Sequence, residues 1–370
     1  MNDSYASNIA NWLLRSNASF AIRHVSRPSS VLGTTRGRVR SENQDIAVVA
    51  VFNDPDTAAT FRACLVCDGL GGMEQGAQCA AEAASQFLAH LTSTTSTQDR
   101  SRRLRDAVEH ANQVVYRRHQ ERGGTTIAAL LWTALGATAL AVGDTRIYKQ
   151  GEAGNLVKLT VDDTIAGRLA ELGGNAAGER AGGPFAHHLA QFIGQRSPVS
   201  PQIVELDALP GDAGKIAATR SGLLMTTDGV HGIGDELLQA IARNAGSARE
   251  LMQRLVSVSE WIGGTDNATA LYVSLNDSPA SAAPSRQPLG LSVQDAYGEL
   301  LVVNNLPEKE AASPQPVSRP EMPPRVDERP KPGRRKNVGK GKRKPKGKSS
   351  RNEGSPRQAE LKIRVTEHSE

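Results

Sequence analysis

A chain of 370 residues is long enough for one large domain or two, with a sizeable buried core. Its hydrophobic share of 38% and aromatic share of 4% are low, so part of the chain is expected not to fold. The formal net charge of +5 conceals a segregation: between Arg329 and Arg351 stand twelve Lys/Arg and no Asp/Glu, so an acidic body carries a basic tail.

No uninterrupted apolar run reaches 18 residues, which excludes a membrane-spanning helix. The N-terminus lacks the basic start and long apolar core of a signal peptide, and the expected location is the cytoplasm. Three cysteines, Cys64, Cys67 and Cys79, cannot build a disulfide framework. Cys64 and Cys67 lie three apart in one expected strand and point to opposite faces, so they read as core rather than as a metal pair.

Residues 1–30 read as an N-terminal extension, in which Ile9, Trp12, Leu13 and Leu14 fit a short helix. Strands fit residues 46–52 and 61–67, either side of the turn Asn53-Asp54-Pro55-Asp56. The second run ends in Asp68-Gly69-Leu70-Gly71-Gly72, followed by a helical pattern with Ala77, Ala80, Ala81, Ala84, Phe87, Leu88 and Leu91 on one face. A carboxylate held beside backbone oxygens at a strand end suits a hard divalent cation. An ordinary Asp-Gly turn fits as well. A phosphate-cradling loop fits less well, because no Lys-Ser/Thr follows the glycines.

A helix is expected over residues 102–120, then strands over 125–132, 135–142, 146–149 and 156–159. This cadence of paired strands indicates antiparallel sheets. Residues 162–174 read as a helix with Asp162 and Asp163 as its cap, and 175–183 as a surface loop. Strands over 203–206, 215–219 and 223–227 precede helices over 235–244 and 247–261 and a strand over 268–275. His187-His188 lacks the spacing of a metal pair and reads as structural or substrate-contacting.

Beyond Asp277 lie thirteen of the 19 prolines and a single aromatic, Tyr297. Such a segment is expected to remain disordered, with apolar islands at 300–303 and 361–365 that suit docking on a partner or on the body. The resulting division is an extension at 1–30, a folded domain at 31–277 and a Pro/Lys/Arg-rich tail at 278–370. The tail's charge suits an anionic partner. With no aromatic residues for base stacking, any nucleic-acid binding would be salt-sensitive and non-specific.

Asp68 is not alone. Asp144 in Gly143-Asp144-Thr145-Arg146, Asp228 in Thr227-Asp228-Gly229, and Asp266 in Asp266-Asn267-Ala268-Thr269 each flank an expected strand, and Arg40-Ser41-Glu42-Asn43-Gln44-Asp45 precedes the first one. Together with Gly123-Gly124-Thr125-Thr126, these pieces stand in the order found in the metal-dependent serine/threonine protein phosphatases. The span from Gly33 to Leu275 resembles that type 2C, or PPM, family, particularly its bacterial members.

The resemblance implies an α+β fold, a four-layer α-β-β-α sandwich of two antiparallel sheets flanked by helices. It also implies a monomer that hydrolyses phosphoserine and phosphothreonine in proteins, in opposition to a bacterial kinase. Asp68 would bridge two Mn²⁺ or Mg²⁺ ions, Gly69 would give a backbone carbonyl to one, and Asp228 and Asp266 would complete the other. A hydroxide bridging the ions would attack phosphorus in line. Asp45 would orient bound waters, Arg40 would grip the phosphate, and Asp144 with Asp228 would hold a third, weaker ion.

Two residues depart from the pattern. Leu70 stands where some members carry a proton-donating His, and Gln44 where an acidic residue is frequent. The alternative is a non-catalytic phosphatase-like scaffold that recruits acidic partners through its tail.

Overall fold

The structure, a computed structural model, describes residues 3–15, 18–53, 59–70, 75–94, 99–171, 186, 188–206, 222–276, 290–304 and 361–367. Gly71, Gly72, His187, Asp54 to Asp56, the expected strand at 215–219, the loop at 175–183 and the basic run from Arg329 to Arg351 lie outside them.

Two antiparallel sheets form the centre. The first has the order β1 (Phe20–Ser26), β2 (Ser29–Thr35), β11 (Ala268–Ser274), β10 (Gly222–Thr226), β7 (Arg146–Gln150), β8 (Leu156–Lys158). The second runs β14 (Leu361–Glu367), β13 (Gly298–Asn304), β12 (Gly290–Gln294), β3 (Ile46–Asn53), β4 (Thr60–Cys67), β5 (Ile127–Thr133), β6 (Gly136–Val142), β9 (Gln202–Glu205).

Strands β3 to β6 read as nearly continuous apolar runs because both their faces are covered. One face meets the other sheet: Val49, Cys64, Val66 and Leu130 pack with Leu223, Met225, Leu271 and Val273. The opposite face, with Val48, Leu65, Cys67 and Ala129, lies under α1 (Asp3–Leu13), α2 (Gly76–Ser93) and α3 (Arg100–His119). Cys64 and Cys67 therefore face opposite ways, each inside a core, as strand alternation requires.

The outer face of the first sheet, with Val31, Leu224 and Ala270, is covered by α6 (Asp235–Asn244) and α7 (Ala248–Trp261) through Leu238, Leu251, Met252 and Leu255. The result is the expected four-layer α-β-β-α sandwich. Among the described residues no helix is long and apolar enough to cross a membrane.

Helix α3 begins at Asp99, whose carboxylate accepts the Arg102 N–H at 3.2 Å, and α7 at Ser247, whose hydroxyl accepts the Glu250 N–H at 3.1 Å. The short α4 (Ile165–Glu171) is capped by Thr164, which accepts the Gly167 N–H at 3.1 Å. Asp162 and Asp163 do not cap it. Asp162 receives three hydrogen bonds from Arg146, and Asp163 accepts from the Gly143 N–H and from Gln191.

Both ends of the described chain enter the sandwich, contrary to a body bounded at 31 and 277. Ile9 is fully buried, Tyr5, Trp12 and Leu13 nearly so, and β1 pairs along its whole length with β2. Beyond residue 277, β12 pairs with β3, β13 with β12 and β14 with β13. Leu291, Val293, Leu300 and Val302 share one core with Ile9 and Leu13. The composition of the tail, averaged over many prolines, hides two short alternating runs that β3 needs, since an open apolar edge there would invite pairing with another chain. The apolar islands at 300–303 and 361–365 fall within β13 and β14.

Leu300→Ala is expected to cost about 2–5 kcal/mol of stability in urea unfolding, as truncation of a buried leucine does. Val39→Ala, at a side chain 69% exposed, should stay within about 0.5 kcal/mol of the parent chain.

Candidate active site

The strand register brings the aspartates together. Ile46 pairs with Cys67, placing Asp45 and Asp68 at one end of the second sheet, and Ile127 pairs with Val142, placing Asp144 at that same end. Thr226 pairs with Arg146 and Ala270, so Asp228 and Asp266 leave the first sheet beside Asp144. Asp228 also opens the one-turn α5 (Asp228–His231).

Hydrogen bonds then join the two sheets at this end. Thr227 Oγ1 donates to Asp45 Oδ2 at 2.9 Å and accepts the Thr269 N–H at 3.0 Å. Asp228 also stands near enough to Asp68 to raise its pKa.

Threonines aim Asp68. Its carbonyl accepts from Thr126 N at 2.9 Å and Thr125 Oγ1 at 2.8 Å, and its N–H donates to Thr126 Oγ1 at 3.2 Å. Thr126 Oγ1 also bonds Thr145 Oγ1, tying Asp68 to the Asp144 loop.

Asn267 clamps the loop that carries Arg40. Its Oδ1 accepts the Gln44 N–H, and its Nδ2 donates to the carbonyls of Arg36 and Glu42, all at 2.9 Å. These Thr and Asn residues are missing from the sequence-based site. Thr145, Thr227 and Asn267 stand next to Asp144, Asp228 and Asp266, and Thr125 and Thr126 in Gly123-Gly124-Thr125-Thr126, which was the available signal.

Gly69 has no room for a side chain: a Cβ would lie 2.6 Å from the Gly76 carbonyl and 2.7 Å from that of Gln44. Gly229 is more confined, with the Asn267 carbonyl 1.9 Å from the same position.

The electrostatics are those of crowded carboxylates around a buried Asp45. Burial, then Asp228, pushes Asp45 up to about 7. Burial and the same neighbour push Asp144 to about 7. Asp68 is driven well above the usual range by burial and then by Asp45, Asp228, Asp144 and Asp266, and Asp228 is raised by burial and by Asp266. Little positive charge answers them. Arg40 Nη2 bonds Asp266 Oδ2 at 2.6 Å, with both side chains about one-third exposed. Arg146 is committed to Asp162 at 2.7 Å.

The chemistry of this donor set fits hard divalent cations: oxygen ligands, excess negative charge and a dry floor. Among the described residues, no three Asp, Glu, His or Cys side chains converge on one ion-sized point. A cation such as Mg²⁺ does not require three, since it retains several waters and takes one or two carboxylates.

The departures from the family pattern have visible seats. The Leu70 side chain lies against Gly124, and its N–H donates to the Gly124 carbonyl at 3.0 Å. Gln44 Nε2 donates to Glu42 at 2.8 Å, and the Gln44 side chain also fills the space before the start of α2. His231, buried and near Arg146, has a pKa lowered to about 3 and stays neutral. His188 is exposed, and its carbonyl accepts the Ile165 N–H.

No family model matches the chain. Among curated proteins it is similar to the "Putative protein phosphatase 2C-type" of Streptococcus pyogenes serotype M6, with 26% identity over 250 residues, 65% of this chain and 95% of that one. Among solved structures it is similar to a PPM Ser-Thr phosphatase from Mycobacterium smegmatis in complex with cacodylate (27% identity, TM-score 0.53, 67% of this chain and 98% of that one). The Mycobacterium tuberculosis serine/threonine phosphatase (23% identity, TM-score 0.53, 69% and 99%) and that of S. agalactiae (23%, 0.55, 66% and 99%) share the fold. The resemblance read from the order of the motifs thus holds in sequence and in architecture.

Gly229→Ala is expected to lower stability by about 1–3 kcal/mol in urea unfolding, because its methyl group must displace Asn267 and the strand that carries Asp266.

Proposed function

We propose that this chain, whose motifs and fold are those of the type 2C, or PPM, phosphatases, hydrolyses phosphoserine and phosphothreonine in proteins with the help of Mn²⁺ or Mg²⁺. The observation that carries the reading is the gathering of Asp45, Asp68, Asp144, Asp228 and Asp266, from both sheets, at one end of the sandwich with Arg40 beside them.

Asp68 with the Gly69 carbonyl, and Asp228 with Asp266, would hold two cations. Asp144 with Asp228 would hold a third, weaker one. When bound, such ions supply charge that makes water a nucleophile at neutral pH and stabilises the transferring phosphoryl group.

The remaining steps belong to the chain's own residues. Asp45, fixed by Thr227, presents an acceptor that orients water. Arg40 uses one N–H on Asp266, leaving further donors of its planar fork for two phosphate oxygens. The leaving alkoxide takes its proton from water, because Leu70 has none to give and neutral His231 does not serve as an acid.

A substrate borne on a protein accords with the phosphatases it resembles, and a kinase that places those phosphates is the natural counterpart. The basic run from Arg329 to Arg351 is assigned to an anionic partner on charge alone.

The test is turnover of a phosphothreonine peptide and of p-nitrophenyl phosphate with added Mn²⁺. Asp228→Asn should lower kcat at least 100-fold with the fold intact by circular dichroism, and excess EDTA should silence the wild type. Full-rate hydrolysis in EDTA overturns the proposal. A wild type that stays inactive in Mn²⁺ yet binds an acidic partner through its tail would mark a scaffold.

A further inference from the structure

At the end of the first sheet opposite the aspartates, the strand register sets polar side chains side by side. Gly222 pairs with Gln150 on one side and with Ser274 on the other. Thr226, at the other end of β10, pairs with Arg146 and Ala270 beside the aspartates, about 13 Å away along the strand. Alternation turns Gln150 to the same face as Tyr148, and Ser274 to that of Tyr272, the outer face that α6 and α7 cover.

The cover is incomplete here. A cavity of about 360 Å³ lies between this part of the sheet and the start of α7, within the range of about 300–1,000 Å³ of small-molecule sites. Val31, Leu251 and Tyr272 give it an apolar wall, and Gln150, Ser247 and Arg249 a polar one.

Two independent features of the lining point to a ligand. The first is Gln150, which is 4% exposed. Its amide has no hydrogen-bond partner among the described residues and is not sealed by protein atoms, so it opens into the cavity. Polar groups buried this far are ordinarily hydrogen-bonded, and here the partner must come from the cavity.

The second feature is charge. At the start of α7 the Ser247 hydroxyl accepts the Glu250 N–H at 3.1 Å, and the Ser247 carbonyl accepts that of Leu251 at 2.9 Å. The N–H groups of Ala248 and Arg249 have no acceptor among the described residues, at the end of the helix that favours an anion. Arg249 is exposed and has no ion pair among the described residues. No Asp or Glu among the described residues lines the cavity. The neighbouring Glu250 carboxylate is committed to the Gly246 N–H at 2.6 Å and to Arg254.

We propose that this cavity is a second ligand site, at the far end of the sheet from the aspartates, for a small organic oxyanion. Arg249 and the first N–H groups of α7 face the phosphate, phosphonate or carboxylate group, and the Gln150 amide supplies a further donor. The body of the ligand lies against Val31, Leu251 and Tyr272.

The test uses the full chain carrying Arg40→Ala, in EDTA, so that neither cations nor Arg40 hold anions at the aspartate end. Phenylphosphonate and benzoate are titrated by calorimetry, and backbone amide exchange is followed at residues 247–252 and 41–46. At least one probe is expected to bind in the millimolar range or tighter, slowing exchange at 247–252 and leaving 41–46 unchanged. Which of the two binds more tightly separates a phosphate-type ligand from a carboxylate. Arg249→Gln should weaken binding about tenfold and Gln150→Leu about fivefold.

No binding of either probe at about 10 mM, slowed exchange confined to 41–46, or undiminished affinity in Arg249→Gln would each overturn the site. Arg249 is exposed, so its variant decides the matter even where Gln150→Leu fails to fold. With no cation and no turnover in the titration, the outcome is independent of the phosphatase reading.

Discussion

Crowded carboxylates repel one another, and the chain gathers Asp45, which is buried, Asp68 and Asp144, which are half-buried, and Asp228, which is exposed, with little cationic charge to neutralise them. Such a cluster costs folding free energy unless protons or cations join it. The surrounding structure shows how that cost is contained. Asp68 is fixed through its backbone by Thr125 and Thr126, Asp45 through Thr227, and the Asp266 strand through Asn267. Asp68 is thus held through its main chain and Asp45 through one carboxylate oxygen. Sites of this kind trade stability for chemistry.

The two sheets make that arrangement possible. Strands entering and leaving in antiparallel register bring loops from residues 45, 68, 144, 228 and 266 to one end of the sandwich, and three buried cores make that end rigid. Arg40 is the cationic partner of the cluster. Its bond to Asp266 is about one-third exposed to solvent, where an ion pair contributes little, in contrast to the more buried pairing of Arg146 with Asp162.

Much of this was legible in the sequence. The apolar runs before Asp68, Asp144 and Asp228 mark strands, and the order of the Asp-Gly, Gly-Asp and Asp-Asn pieces marks a shared site. The positioning residues were not legible, because their partners are far away in the chain: Thr227 reaches Asp45 across 182 positions, and Asn267 reaches Gln44 across 223. The ends of the body were misread for a different reason. Alternation over four or five residues, as in Leu291 and Val293 or Leu300 and Val302, is too short to register in a window dominated by proline and charge, and only the pairing of β12 with β3 and of β13 with β12 gives it meaning.

The central claim is that these aspartates form a common seat for two divalent ions. The most direct measurement is anomalous diffraction at the manganese edge from crystals of the full chain soaked in Mn²⁺. The account predicts two peaks about 3.5–4 Å apart, one on each side of Asp68 and the second reaching Asp228 and Asp266. Peaks elsewhere on the surface, or none at millimolar Mn²⁺, would contradict it.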